Sequence, residues 1–154
     1  MCDSSPVRNW LFGLIAALVL AAAAVGAAMI ANGSLWLIWT SAGWMIVAGL
    51  LTLGAIGICV GAGLALDKFC SCAGTRCEGP CGNMRRLISA IQAVLGIQAT
   101  ACFTVAIIAS IPWLPLGLMA IIIGALIAQL LLAISLIPFY ASLTSCQISS
   151  AQPV

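Results

Sequence analysis

Residues 10–31, WLFGLIAALVLAAAAVGAAMIA, run for twenty-two positions without a charged side chain. At about 1.5 Å per helical residue, such a segment reaches across a hydrocarbon core of about 30 Å. Lipid offers no partner to a backbone N–H or C=O, so a helix, which satisfies both internally, is the conformation the bilayer admits. A cleaved signal peptide is the competing interpretation, because Arg8 precedes an apolar run that contains the alanine cluster 21–24. The run exceeds the roughly 7–15 residues of a signal-peptide core, and its alanines are continuous with it, so it reads as a first transmembrane helix.

Three more uncharged stretches follow, at residues 35–66, 87–111 and 116–136. The second would be about 48 Å long if wholly helical, so it must tilt or project beyond the bilayer. Asn32, Gly33 and Ser34 predict a tight turn between the first two spans, and Pro112, Trp113 and Pro115 another between the last two. Trp36, Trp39 and Trp44 sit where an indole is apolar on its face and wet at its N–H, at the headgroup level. The tail from Ser142 to Val154 is polar and uncharged and predicts a frayed end. No internal repeat is evident.

Composition agrees with these spans. Of the 154 residues, 64% are hydrophobic and 5% charged, whereas a soluble chain carries roughly 25% charged residues to hydrate its surface. The expected fold is all-α and integral to the membrane, a single domain over residues 1–154 built as an antiparallel four-helix transmembrane bundle. The lipid bilayer is then its principal partner.

Between the second and third spans lies 67–86, DKFCSCAGTRCEGPCGNMRR, which predicts a cysteine-rich loop. It holds Cys70, Cys72, Cys77 and Cys81, with Gly74, Gly79, Pro80 and Gly82 as turn formers. It also holds Lys68, Arg76, Arg85 and Arg86, four of the five basic residues. With four spans, both termini and this loop share one side, and the fifth basic residue, Arg8, is there too. The opposite turns carry no charge, so the positive-inside rule places the termini and the loop in the cytoplasm. The same four basic residues make a small surface for lipid headgroups or a protein partner.

That placement ranks the chemistries open to the thiols. Disulfides suit an oxidising compartment and are disfavoured where glutathione keeps thiols reduced. A tetrathiolate site on Cys70, Cys72, Cys77 and Cys81 would take Zn2+ in a tetrahedron, although the C-x-C-x4-C-x3-C spacing is not the usual pair of C-x2-C knuckles. Cu(I) is the alternative ion, while the spacing fits neither common iron–sulfur run. Free or acylated thiols are the remaining alternative, with Cys2 and Cys146 on the same face. Cys59 and Cys102 lie inside spans and read as small buried hydrophobes.

In the second span Gly57 and Gly61 form a G-x-x-x-G pair that Gly54 and Ala65 extend, a ridge suited to close helix packing, within the chain or in self-association. The uncharged membrane interior argues against proton relays and ion-coupled transport. The amides and hydroxyls of Thr40, Ser41 and Thr52 in the second span, Gln92, Gln98, Thr100 and Thr104 in the third and Gln129 and Ser135 in the fourth show no convergent stripe and read as interhelical hydrogen-bonding groups. The sequence contains no histidine, which removes the usual general base and the commonest metal ligand. A net charge of +2 is too small for nucleic-acid binding.

The expected function is a non-enzymatic accessory or scaffold subunit of a membrane complex with a structural thiolate metal site. A soft-metal transporter or handling protein for copper, mercury or zinc is the alternative, with Cys59 and Cys102 as relay ligands. A membrane thiol oxidoreductase comes third, for want of a C-x-x-C pair.

Overall fold

A computed structural model describes residues 5–33, 38–108 and 116–151, and these form four long helices. Helix α1 spans Ser5–Gly33, α2 Ile38–Ala73, α3 Glu78–Ile108 and α4 Leu116–Ala151, with a 3-10 turn at Gly74–Cys77 joining α2 to α3. All four are long and apolar enough to cross a membrane. Only 28–39% of each span is buried inside the bundle, and large side chains such as Leu20, Leu64, Ile107 and Leu131 point outward. A surface of that kind is compatible with contact to a lipid bilayer.

The helices run up, down, up and down, and each packs on its sequence neighbours while α1 closes the ring against α4. Gly61 faces the Trp10 ring and Gly13 faces Ile58, so α2 descends as α1 rises. Gly63 faces Ile88 and Gly49 faces Phe103, the same antiparallel relation between α2 and α3. Gln129 of α4 meets Leu18 of α1.

A seven-residue spacing positions the core. In α1 the buried residues include Val7, Leu11, Leu14, Leu18, Ala21, Val25 and Ala28; in α2 they include Met45, Ala48, Thr52, Ala55, Cys59, Ala62, Leu66 and Phe69. Steps of three and four alternate along these positions, and α3 continues them through Cys81, Met84, Ile88, Ile91, Leu95, Gln98, Cys102 and Val105, with Leu87, Ala99 and Ala101 buried beside them. Such spacing is that of helices packed side by side, which in left-handed bundles incline by about 20°. The spacing is concealed in the sequence because the outward positions are apolar too.

Three expectations are corrected. Residues 67–86 do not form a loop: α2 continues to Ala73 and α3 begins at Glu78, leaving the short 3-10 turn between them. Gly74 breaks α2 by adopting φ +68, a conformation that glycine takes without a Cβ clash. Glu78 stands in the first turn of α3, where a carboxylate complements the helix dipole, and Pro80 lies in that same turn, where its missing N–H costs little. The tail is not frayed over its described part, because α4 runs on to Ala151 with Leu143 buried. The hydroxyls of Ser142, Thr144 and Ser145 donate to carbonyls of the preceding turn, including that of Pro138, which satisfies them within the helix. The predicted turn at Asn32–Gly33 is instead the last turn of α1. Ser34, Trp36, Pro112, Trp113 and Pro115 lie outside the described residues.

Candidate functional site at the cysteine-rich end

At 29–36 residues the helices are about 44–54 Å long, so their ends stand clear of a 30 Å hydrocarbon core. At one end, the last turns of α2 and α4 and the first turns of α1 and α3 meet in a cap. Cys70 at the end of α2 is disulfide-bonded to Cys81 in the first turn of α3, with their Cα atoms 6.1 Å apart. Cys77, the last residue of the 3-10 turn, is bonded to Cys146 of α4 across 5.9 Å. Cys72 is disulfide-bonded as well.

The local conformation explains these pairings. Because α2 stays helical to Ala73, Cys70 and Cys72 fall two residues apart on a helix and point in different directions. Cys70 is buried against α3, whereas Cys72 is exposed. Cys77 and Cys81 are four apart, and the junction between them at Glu78 has φ −63 and ψ −40, so one helical turn separates them on a shared face. Three of the four residues expected in a thiolate site, Cys70, Cys77 and Cys81, are thus brought together, and Cys72 is not. In its place stands Cys146, a residue 65 positions beyond Cys81 that local spacing could not connect to it. In this disulfide-bonded state no group of three or more Cys, Asp or Glu side chains among the described residues is arranged to hold a metal ion.

The cap is apolar inside and charged at its rim. Cys77 and Cys81 are 1% and 4% exposed and pack with Leu66, Phe69, Met84 and Leu143 in one apolar cluster. Around them Lys68 and Arg86 are exposed, Arg76 lies in the 3-10 turn, and Arg85 Nε donates to Asp67 Oδ1 at 2.8 Å. That ion pair links the end of α2 to the start of α3, but with both side chains more than half exposed it adds little to stability.

The glycine ridge is divided. Gly61 packs under Trp10 and Ala65 lies against the core, while Gly54 and Gly57 are exposed and have no neighbouring atom near where a Cβ would be. Packing within the chain uses the next stripe over, Ala48, Ala55, Cys59 and Ala62, which carries the seven-residue spacing.

Away from the cap, three polar side chains are buried in the bundle. Thr52, Gln98 and Gln129, one from each of α2, α3 and α4, are 0–1% exposed and lie between an apolar cluster around Leu14 and Ile91 and a second around Met45 and Val105. Thr52 donates to Ala48 O within its own helix, and Gln129 Nε2 donates to Leu18 O at 2.6 Å. Neither amide atom of Gln98 has a partner among the described residues. Gln129 is thus the interhelical hydrogen-bonding group the sequence suggests, whereas Thr52 bonds within its own helix.

Cys59 and Cys102 are not brought together. Cys59 Sγ donates to Ile88 O, and Cys102 lies fourteen residues further along α3, about 21 Å at 1.5 Å per residue. A groove of about 510 Å3 between α3 and α4, lined by Gly96, Thr100, Thr104, Leu118 and Ile121, opens to the lipid side. Its threonine hydroxyls already donate to carbonyls of α3. Compared with protein-family models, characterised proteins and solved structures, the chain matches none of them.

Proposed function

We propose that the protein is a non-enzymatic scaffold or accessory subunit of a membrane complex, in which four lipid-embedded helices carry a rigid cap that presents basic side chains to a partner. The observation that carries this is the burial of Cys70, Cys77 and Cys81, at 9% exposed or less. A thiol that works on a substrate has to be reached by it; sulfurs sealed beneath Phe69 and Met84 clamp helices instead. Exposed Lys68, Arg85 and Arg86 then offer the cap's principal contact surface, and the open face at Gly54 and Gly57 allows close approach of another helix, from a different subunit or a second copy.

Five basic residues gather at the cap end and none lies in the two opposite turns, which favours a cytoplasmic cap with both termini on that side. Extraction in a mild detergent followed by native electrophoresis tests the proposal: the protein runs in a defined assembly larger than its 15.7 kDa chain, and deleting it lowers the abundance of its partner. A monodisperse chain that turns over a substrate in liposomes would overturn it.

A second function, the membrane thiol oxidoreductase, gains from one feature. Cys72 is both exposed and disulfide-bonded, the state in which a cystine can accept two electrons from a dithiol substrate and pass them to a membrane quinone. Quinone-dependent oxidation of a dithiol by reconstituted protein is its test. The soft-metal relay is not favoured, because about 21 Å separates the levels of Cys59 and Cys102.

A further inference from the structure

The charge of the cap and its cystines point to opposite compartments. Basic residues confined to one end mark the cytoplasmic face, yet disulfides do not persist where glutathione is reduced. Both observations hold together if the paired sulfurs have a second state, and the geometry supplies one. We propose that Cys70, Cys77, Cys81 and Cys146 form a tetrathiolate zinc site in the reduced protein, and that the two disulfides are the oxidised, metal-free state of the same cluster.

The four positions share one apolar cluster, Cys70, Cys77 and Cys81 within it and Cys146 packed against it. Cys70 and Cys81 have Cα atoms 6.1 Å apart, Cys77 and Cys146 5.9 Å apart, and Cys77 and Cys81 are one helical turn apart. Tetrahedral zinc with Zn–S bonds of about 2.3 Å sets its sulfurs about 3.8 Å from one another. Moving from a disulfide at about 2.05 Å to that spacing separates each pair by roughly 2 Å, within the reach of side-chain rotation. The site is closed, as structural zinc sites are: three of its sulfurs belong to nearly fully buried residues packed by Leu66, Met84 and Leu143. The double negative charge of a zinc tetrathiolate would lie near Lys68, Arg85 and Arg86 at the rim. The set differs from the four cysteines that local spacing suggests, since Cys146 replaces Cys72, whose exposed position on α2 faces away from the cluster.

The interconversion balances. Each disulfide takes two electrons and two protons from a dithiol reductant, which becomes a disulfide; the cap then holds four thiols. Zn2+ binding displaces their four protons and forms four Zn–S bonds. Oxidation by a disulfide or peroxide reverses it, re-forming two cystines and releasing the ion. In the zinc form α4 stays tied to the α2–α3 junction through the metal, so the clamp survives in a reducing compartment.

The test uses the full chain in detergent, reduced anaerobically with a phosphine and then given Zn2+ or Co2+. The reduced protein takes up about one equivalent of zinc, its cobalt form shows the intense thiolate charge-transfer and visible bands of a tetrahedral sulfur site, and X-ray absorption finds four sulfurs at about 2.3 Å. The disulfide form takes up none. Cys146→Ser removes stoichiometric binding and Cys72→Ser leaves it intact, with helicity followed by circular dichroism in both. If Cys146→Ser disturbs the fold, the sulfur count from X-ray absorption on Cys72→Ser decides alone: four sulfurs support the assignment and three overturn it. Absence of stoichiometric metal from the reduced wild type also overturns it.

Discussion

Gln129 in the middle of α4 donates its Nε2–H to the carbonyl oxygen of Leu18 in α1 at 2.6 Å, and this bond crosses the pair of helices whose contact closes the bundle. In a hydrocarbon surround the competing partner, water, is absent, and such interhelical bonds contribute on the order of 1 kcal/mol. Gln129→Leu removes that bond together with the buried, unpartnered Oε1, so it destabilises the bundle by less than about 1 kcal/mol, read as a slightly lower midpoint on unfolding from mild detergent into dodecyl sulfate.

Gln98 predicts the opposite sign. It is 0% exposed and neither its Oε1 nor its Nε2 has a partner among the described residues. A buried amide without partners costs about 1–3 kcal/mol, and an apolar side chain of similar shape removes that cost. Gln98→Leu is expected to leave stability unchanged or to raise it by about 1 kcal/mol in the same assay. A loss larger than that of Gln129→Leu would mean that Gln98 holds a water or ligand.

How much of this was legible depends on which solvent each residue faces. The apolar lengths at 10–31 and 87–111 revealed membrane helices because bilayer thickness sets a lower limit that composition displays directly. Which face of each helix turns inward was not displayed, because Leu18 in the seam and Leu20 facing lipid are the same residue type. In a soluble bundle, polar residues outline the seam; here only Thr52, Gln98 and Gln129 do so, and they read as scattered until the helices are assembled. The cap was half legible: Cys70, Cys77 and Cys81 lie within twelve residues, but glycines at 74, 79 and 82 suggested a loop where helices continue. Cys146 joins them through the closure of the bundle, a long-range relation that no local spacing encodes.

Seam and ridge separate under substitution. Ala55 is 1% exposed at a seam position of α2, so Ala55→Leu overpacks the core and destabilises by about 1–3 kcal/mol. Gly57, two positions along, has open space where its Cβ would stand, so Gly57→Leu changes the stability of the single chain by less than about 0.5 kcal/mol. Unfolding midpoints of the two variants, measured in parallel, check the assignment of faces.

Cys70–Cys81 and Cys77–Cys146 are unequal as cross-links. Cys77–Cys146 closes a separation of 69 residues and Cys70–Cys81 one of 11. Chain entropy alone gives about 4 kcal/mol for the first and about 3 for the second, upper figures for a membrane bundle whose helices persist on unfolding. In oxidised protein, Cys146→Ser thus loses more stability than Cys70→Ser and loosens the end of α4 first. Hydrogen exchange localises the effect: amides from Leu143 onward lose protection in Cys146→Ser, while those around Ile91 and Leu95 keep it.

Orientation gives the last prediction. Cys146 of α4 is bonded to the α2–α3 junction, so the end of α4 and the basic cap lie on one side of the bundle. If Arg8, Lys68, Arg76, Arg85 and Arg86 hold that side in the cytoplasm, a green fluorescent protein fused after Val154 folds and fluoresces, and an alkaline phosphatase fused there stays inactive. Replacing Lys68, Arg85 and Arg86 together with glutamine removes three of the five positive charges and is expected to produce a mixed or inverted population. An active phosphatase on the wild-type chain would reverse the orientation, put the cap in an oxidising compartment, and make its cystines permanent cross-links rather than one state of a metal-binding cluster.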